Sequence, residues 1–277
     1  MASEKNIKKV FPFLRKVLFR IDFQFIPEQK QEEIYTYIAE KYGDKFSDRG
    51  LEQANSVGIE INTNSPEEPI VNPKQQTVYY LIKPKSDIDD GRTIKIGKTF
   101  IFLDIDLRLK SEYVPYYDWV ADIVNYLTEM KLFTPTRVGL RKFNAFFMLD
   151  KNIDKIDELF SFDFFEKFDE PPFVLDQFNN IQRYNSENYS LNFSRGATTG
   201  FLNNESINNE KAHQITFDFD LYSNQSDVLS NFCVNSRENL EQMNNMIRNF
   251  FKKLLCEGIY EKIESNDLLE DYCVIPF

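Results

Sequence analysis

Two segments of this chain each carry a pair of aspartates two residues apart. They are Asp104 and Asp106 in Ile101-Phe102-Leu103-Asp104-Ile105-Asp106-Leu107, and Asp218 and Asp220 in Ile215-Thr216-Phe217-Asp218-Phe219-Asp220-Leu221. Side chains at i and i+2 of a strand project from one face, so each pair could present hard oxygen ligands to Mg²⁺ or Mn²⁺, as a phosphodiesterase requires. The competing assignment puts the same acids on the solvent face of amphipathic strands or against arginines of neighbouring strands. No further carboxylates at a recognisable offset complete a metal site. A second constellation is Arg137-Val138-Gly139-Leu140-Arg141-Lys142-Phe143-Asn144. On a strand, Val138 and Leu140 face the core while Arg137, Gly139 and Arg141 share the other face, with the glycine leaving room for a close neighbour. Two guanidiniums flanking a gap could receive a phosphate or carboxylate bidentately, which makes Arg137, Gly139, Arg141 and Asn144 candidate binding residues. The alternative is a cross-strand network joining Arg137 and Arg141 to Asp22, Asp104 or Asp106. Beyond Lys142 the apolar phase switches to Phe143, Ala145 and Phe147, which predicts a bulge.

Other chemistries have little to work with. The single histidine, His213, excludes a His-rich metal site and an H-E-x-x-H protease and is expected to be a structural strand residue. Cys233, Cys256 and Cys273 are odd in number and include no C-x-x-C pair, which argues against a disulfide framework and for a reducing, cytoplasmic setting. No P-loop, dinucleotide fingerprint, G-x-S-x-G elbow or glycine-rich loop occurs, so no catalytic nucleophile and no cofactor are expected. Lys and Arg total 33 against 44 Asp and Glu, for a net charge of −11, a balance that repels phosphate backbones and anionic lipid. Nucleic acid is therefore the less favoured partner. Arg183, Tyr184, Tyr189, Phe193 and Arg195 interleave base-stacking rings with cations, or are an ordinary aromatic strand. The acidic positions Glu28, Glu32, Glu33, Glu40, Asp118 and Asp122 are solvated helix faces or a docking surface for a basic protein. No run reaches transmembrane length, and Phe11-Pro12-Phe13-Leu14 after Lys5, Lys8 and Lys9 is too short for a signal-peptide core, so no membrane association is expected.

The elements that must position these residues follow from periodicity. Val17, Phe19, Ile21, Phe23 and Phe25 alternate with polar residues, as in a half-buried strand. Pro27 opens a helix with Ile34, Tyr37, Ile38 and Tyr42 on one stripe, and Pro115 opens another with Tyr117, Val120, Ala121, Val124 and Leu127. Between them a short strand around Val57 to Ile61, a proline-rich loop over 62–73, a strand at Val78 to Ile82 and a long hairpin-ended strand over 93–109 are predicted, with Gly91 and Gly97 as turn residues. Thr136 to Met148 returns as a strand. This order predicts a ferredoxin-like unit with an extra hairpin. Then come a short helix over 152–165, paired strands over 173–183 and 189–195, and nine Asn between 179 and 209 that predict surface loops. The motif Ile-x-Φ-Asp-Φ-Asp-Leu recurs at Ile215 and again precedes a long amphipathic helix, with Leu240, Met243, Ile247, Phe250, Phe251 and Leu254 on one face. The expectation is an α+β fold of two related halves, 1–150 and 151–277, tightly fused. Each has mostly antiparallel sheet with long helices packed on it. With 277 residues, 15% aromatic, the chain can fill such a core.

Arg137-Val138-Gly139-Leu140-Arg141 with Asn144, the Phe-rich first strand and the late Phe217-Asp218-Phe219-Asp220 strand resemble a sporadically distributed, uncharacterised bacterial family with an R-[IV]-G-L-R-Y-x-N signature. The chain departs from it at Lys142 and Phe143. The resemblance implies a mobile-element or defence setting and assigns no catalytic residue. Together with the acidity, it implies a non-enzymatic interaction protein, an immunity, antitoxin or accessory subunit of a defence or toxin–antitoxin module that binds a basic protein. The alternative is a ferredoxin-like RNA-binding or divalent-metal-dependent phosphodiesterase module.

Overall fold

The alternation that begins the chain becomes β1, Leu14–Phe23, whose odd positions Val17, Phe19, Ile21 and Phe23 are all buried. It ends two residues earlier than predicted, and Phe25 is 68% exposed. The computed structural model describes residues 13–60, 70–108, 112–131, 133–165, 176–204, 207–265 and 274–276. Lys5, Lys8, Lys9, Cys273, most of the predicted 62–73 loop and the start of the strand predicted over 173–183 lie outside these residues.

Pro27 precedes α1, Glu28–Tyr42, and its carbonyl accepts the first helical hydrogen bonds, from Lys30 and Gln31. Pro115 likewise precedes α2, Tyr116–Glu129. Between them, β2 (Asp48–Glu60) and β3 (Ile70–Lys83) form a long hairpin, so the predicted short strand is a 13-residue one. Pro73 falls within β3 rather than in a loop. It is tolerated there because β4 (Gly91–Ile96) pairs only with Tyr79–Lys83, leaving that edge of β3 around Pro73 outside the β4 ladder. The predicted long strand is two, β4 and β5 (Phe100–Asp106), joined by a turn in which the Gly97 N–H donates to the Phe100 carbonyl. After α2 comes β6, Pro135–Leu149.

The remainder contributes α3 (Ile156–Leu159), β7 (Gln177–Asn185), β8 (Ser190–Asn204), β9 (Ile207–Ser223), α4 (Ser226–Val234), α5 (Ser236–Leu254), α6 (Ile259–Ser265) and β10 (Val274–Pro276). The asparagine-rich interval is therefore strand, not loop. Its polarity is compatible with that because β7 is a sheet edge and the β8–β9 pair runs on past its neighbours as a two-stranded ribbon, both places where side chains meet water.

All strands join one antiparallel sheet in the order β2-β3-β4-β5-β1-β6-β9-β8-β7, with β10 on β6 beyond the reach of β1. The run β4-β5-β1-β6, with α1 and α2 as its two crossovers, is the ferredoxin-like arrangement, and β2–β3 is the extra hairpin. The two copies of the repeated motif, β5 and β9, flank the central β1–β6 pair. Every helix contributes to a single core against one face of this sheet. Phe193, Phe217 and Phe219 lie there beneath Phe250 and Phe251, with ring centroids 5.2 to 6.5 Å apart. Truncating Phe217, 1% exposed, to Ala would cost about 3–5 kcal/mol. Among the described residues no helix covers the other face.

The bulge expected in β6 beyond Lys142 lies in β1 instead, and the extra residue that β6 does carry against β1 is Thr136, near its start. The β6–β9 register runs unbroken from Val138 to Leu149, whereas Leu14 pairs with Asn144 and Lys16 with Phe143, making Arg15 the extra residue. The apolar phase of β6 does not switch. Val138, Leu140, Lys142, Asn144, Phe146 and Met148 all point to the helix side, and two of them are polar.

Candidate functional site

The uncovered face holds the arginines and aspartates together. In the β1–β6–β9 registers Arg137 stands opposite Asp22, and Arg141 opposite Asp220. The ion pairs run partly along the diagonal. Arg137 reaches Asp22 at 3.4 Å and both oxygens of Asp220 at 3.3 Å, while Arg141 holds Asp218 through Nε at 2.8 and 3.1 Å and through Nη2. These hydrogen bonds push the Arg141 guanidinium above its ordinary value, against the opposing effect of burial. Asp22 also accepts from Arg20 at 2.8 Å, and Asp220 from Asn192 at 3.3 Å. The Arg137 guanidinium carbon sits 4.5 Å from the centroid of the Tyr222 ring.

Gly139 lies beneath that guanidinium. A Cβ there would meet its nearest atoms at 3.6 to 3.7 Å, ordinary contacts, so the glycine is not forced by a close neighbour. Asn144 is separated from the other three candidates. It faces the helix layer and is 7% exposed, so Arg137, Gly139 and Arg141 converge and Asn144 does not join them.

The paired aspartates are likewise engaged. Asp104 accepts from Lys16 at 2.9 Å and Asp106 from Lys85 at 3.1 Å. Asp218 and Asp220 answer the two arginines. Among the described residues no group of three or more His, Cys, Asp or Glu is placed to hold a metal ion. What this face does chemically is to tie β1, β6 and β9 in register through charge pairs about three-quarters buried on the Arg137 side, with the Lys16–Asp104 pair adding β5 and the Asn192 hydrogen bond adding β8.

His213, 8% exposed, sits at the start of the β9 segment that pairs with β6. Its Nε2 lies 2.7 Å from Asp150 Oδ1 and its Nδ1 3.2 Å from Thr199 Oγ1. The order hydroxyl, imidazole, carboxylate is that of a hydrolytic triad. However, the Thr199 N–H donates to the Asp176 carbonyl at 3.0 Å and so is not free to stabilise an oxyanion. The arrangement ties the turn after β6 to β9. His213 and then Lys211 hold the Asp150 carboxyl below the usual carboxylate range.

Several participants were missed in the sequence. Tyr222 and Asn192 complete the Arg137–Asp220 cluster, and Tyr222 could have been found as the next same-face residue after Asp220. Asp122, expected on a solvated helix face or a docking surface, is gripped by α1: it accepts from Tyr37 at 3.1 Å, from Tyr42 at 2.8 Å and from Lys41. Burial pushes its carboxyl up, but those three donors together with the Lys41 charge bring it below the ordinary range. Cys233 and Cys256 are free thiols. Among the described residues no helix is long and apolar enough to cross a membrane. In comparisons with protein families, curated proteins and solved structures, none matches this chain.

Proposed function

We propose that the chain is a non-enzymatic protein-interaction component, an immunity, antitoxin or accessory subunit of a bacterial defence or toxin–antitoxin module, whose partner presents a basic surface. The observation that carries this reading is the mutual engagement of Arg137 and Arg141 with Asp22, Asp218 and Asp220. The residues with the most chemical potential in the sequence fasten the sheet, while the exposed helix layer retains acids such as Glu32 and Glu40 that form no ion pair among the described residues. The bacterial setting rests on the resemblance of the Arg137–Asn144 segment. Native expression followed by co-purification with the products of adjacent genes tests the reading: a stoichiometric partner of basic pI is expected, and a chain that purifies alone overturns it.

A second reading draws on Phe100 and Phe102, whose partly exposed rings stack 5.9 Å apart on the uncovered face of the central β5 strand. Rings at such positions can receive single-stranded RNA bases. Binding of a labelled single-stranded RNA that weakens on Phe102→Ala would favour this reading over the first.

A further inference from the structure

The helix layer carries a groove of about 470 Å³ between α1 and α2, with Glu32, Glu33, Thr36, Tyr37, Glu40 and Tyr126 in its lining. Its aromatic part is the stacked pair Tyr37 and Tyr126, centroids 3.8 Å apart and planes within 1° of parallel. The Tyr37 hydroxyl is anchored on Asp122, which also receives Tyr42 from the next turn of α1, so the stack is held from below. Glu33 is taken by Lys30, whereas Glu32 and Glu40 are exposed and form no ion pair among the described residues. The lining therefore offers three carboxylates, two tyrosine rings and no basic residue. Beside it, the chain already seats a cation in this kind of environment: the Lys41 ammonium lies 5.5 Å from the Tyr37 ring centroid and 5.9 Å from that of Tyr42 while bonded to Asp122.

Glu32 and Glu40 are eight residues apart, about 12 Å along the helix axis at 1.5 Å per residue. We propose that this groove is the docking site for a basic segment of a partner protein, with two arginine or lysine side chains about 12 Å apart reaching Glu32 and Glu40 across the tyrosine pair. The inference rests on the protein-interaction reading and names the chemistry of the partner. Charge complementarity selects the occupant. A phosphate-bearing ligand would be repelled by the carboxylates, and an apolar helix would leave Glu32 and Glu40 without partners, whereas guanidinium groups satisfy these two acids and stack on the rings.

The test uses the full chain and a fluorescein-labelled helical peptide with arginines at positions i and i+8 of an alanine–glutamine host, read by fluorescence anisotropy. Binding is expected to weaken as salt rises and to fall about tenfold in the Glu32→Gln/Glu40→Gln double variant, as for the loss of two exposed ion pairs. Tyr126→Leu should weaken it several-fold and Tyr126→Phe should restore it. Glu257→Gln, an exposed acid after α5, should leave it unchanged. A wild-type chain that fails to bind the peptide, or a double variant that binds as tightly as wild type, overturns the groove. Co-purification separates this from the broader reading. A native partner retained by the double variant overturns the groove alone, and a wild-type chain with no partner overturns the protein-interaction reading itself.

Discussion

Lys142 is the residue whose placement most contradicts ordinary patterning, and replacing it by Met tests the account of β6. Its side chain points into the helix-covered core and the residue is 7% exposed. The ammonium donates to the Tyr113 hydroxyl at 2.7 Å and to Asn244 Oδ1, and lies 4.4 Å from the Tyr113 ring centroid, with no ion pair among the described residues. Removing the charge forfeits two charge-assisted hydrogen bonds, each about 1.5–3 kcal/mol, and a cation–π contact of about 0.5–2 kcal/mol. Against this stands the desolvation of a buried ammonium, several kcal/mol, which the variant no longer bears. Methionine keeps the apolar stem packed. The abandoned partners also keep each other, since Tyr113 donates to Asn244 at 2.8 Å.

The sum is close to balance. Lys142→Met should therefore change stability by no more than about 2 kcal/mol in either direction, whereas Lys142→Ala, which also opens a cavity, should lose about 2–4 kcal/mol more. Urea unfolding followed by circular dichroism resolves the difference, and at this chain length each kcal/mol also moves Tm by about 2–4 °C. A loss above about 4 kcal/mol for the methionine variant would refute the reasoning, because it would require a buried anionic partner for Lys142.

Three further outcomes follow from the geometry. In a double-mutant cycle of Arg137→Met and Asp220→Asn, thermal unfolding should give a coupling of about 0.5–1 kcal/mol, and additivity would mean the pair is not formed. For Asp122, the folded-state value lies below the ordinary carboxylate value, so its stabilisation is present above that ordinary value and is lost as pH falls through the folded one. Asp122→Asn should thus be less stable than wild type in urea at pH 7, with the gap closing towards pH 3; a gap that widens on acidification would contradict the sign. Adding millimolar Mn²⁺ or Mg²⁺ should leave Tm within about 1 °C, because Asp104, Asp106, Asp218 and Asp220 are already matched by cations, and a larger saturable rise would restore the metal reading.

The parts of the fold legible in the sequence are those where burial is one-sided and the inward positions are apolar. The odd residues of β1, the proline starts of α1 and α2, and the repeated strand that became β5 and β9 all meet that condition. Legibility failed where an inward position is polar. Lys142 and Asn144 keep the phase of β6, yet they made Phe143, Ala145 and Phe147 look like the buried set. Gln31 is a second case: fully buried in α1, it donates through Nε2 to the Thr77 and Ile96 carbonyls at 2.8 Å, a tie between helix and sheet that no periodicity reports. Edges failed for the opposite reason. β7 and the β8–β9 ribbon expose both sides, so their asparagines resemble loop residues. The candidate site is legible in residue type and in part of its pairing, because the polar faces of their strands predict an Arg137–Asp22 pair among the possible cross-strand contacts. The actual partner of Arg141 and the exclusion of Asn144 depended on the registers of β1 and β9 against β6.

Those registers also constrain where a partner can bind. An anion seeking Arg137 must displace Asp22 and Asp220, carboxylates fixed on adjacent strands at hydrogen-bond distance and hence present at a high effective concentration. A dissolved phosphate or a partner's carboxylate meets that competition at Arg137 and at Arg141, and it also meets the charge of Asp104 nearby. A cation approaching the face meets the same obstacle in reverse, since each aspartate already has a positive neighbour. Recognition by charge is thus cheapest where charge is not answered internally. On the α1 surface Glu32 and Glu40 are in that state, and they border a pair of tyrosine rings suited to a guanidinium. The internally answered charge of the sheet face and the unanswered acids of α1 therefore differ in role: the first ties β5, β1, β6, β9 and β8 together, and the second leaves Glu32 and Glu40 open to the basic segment proposed above.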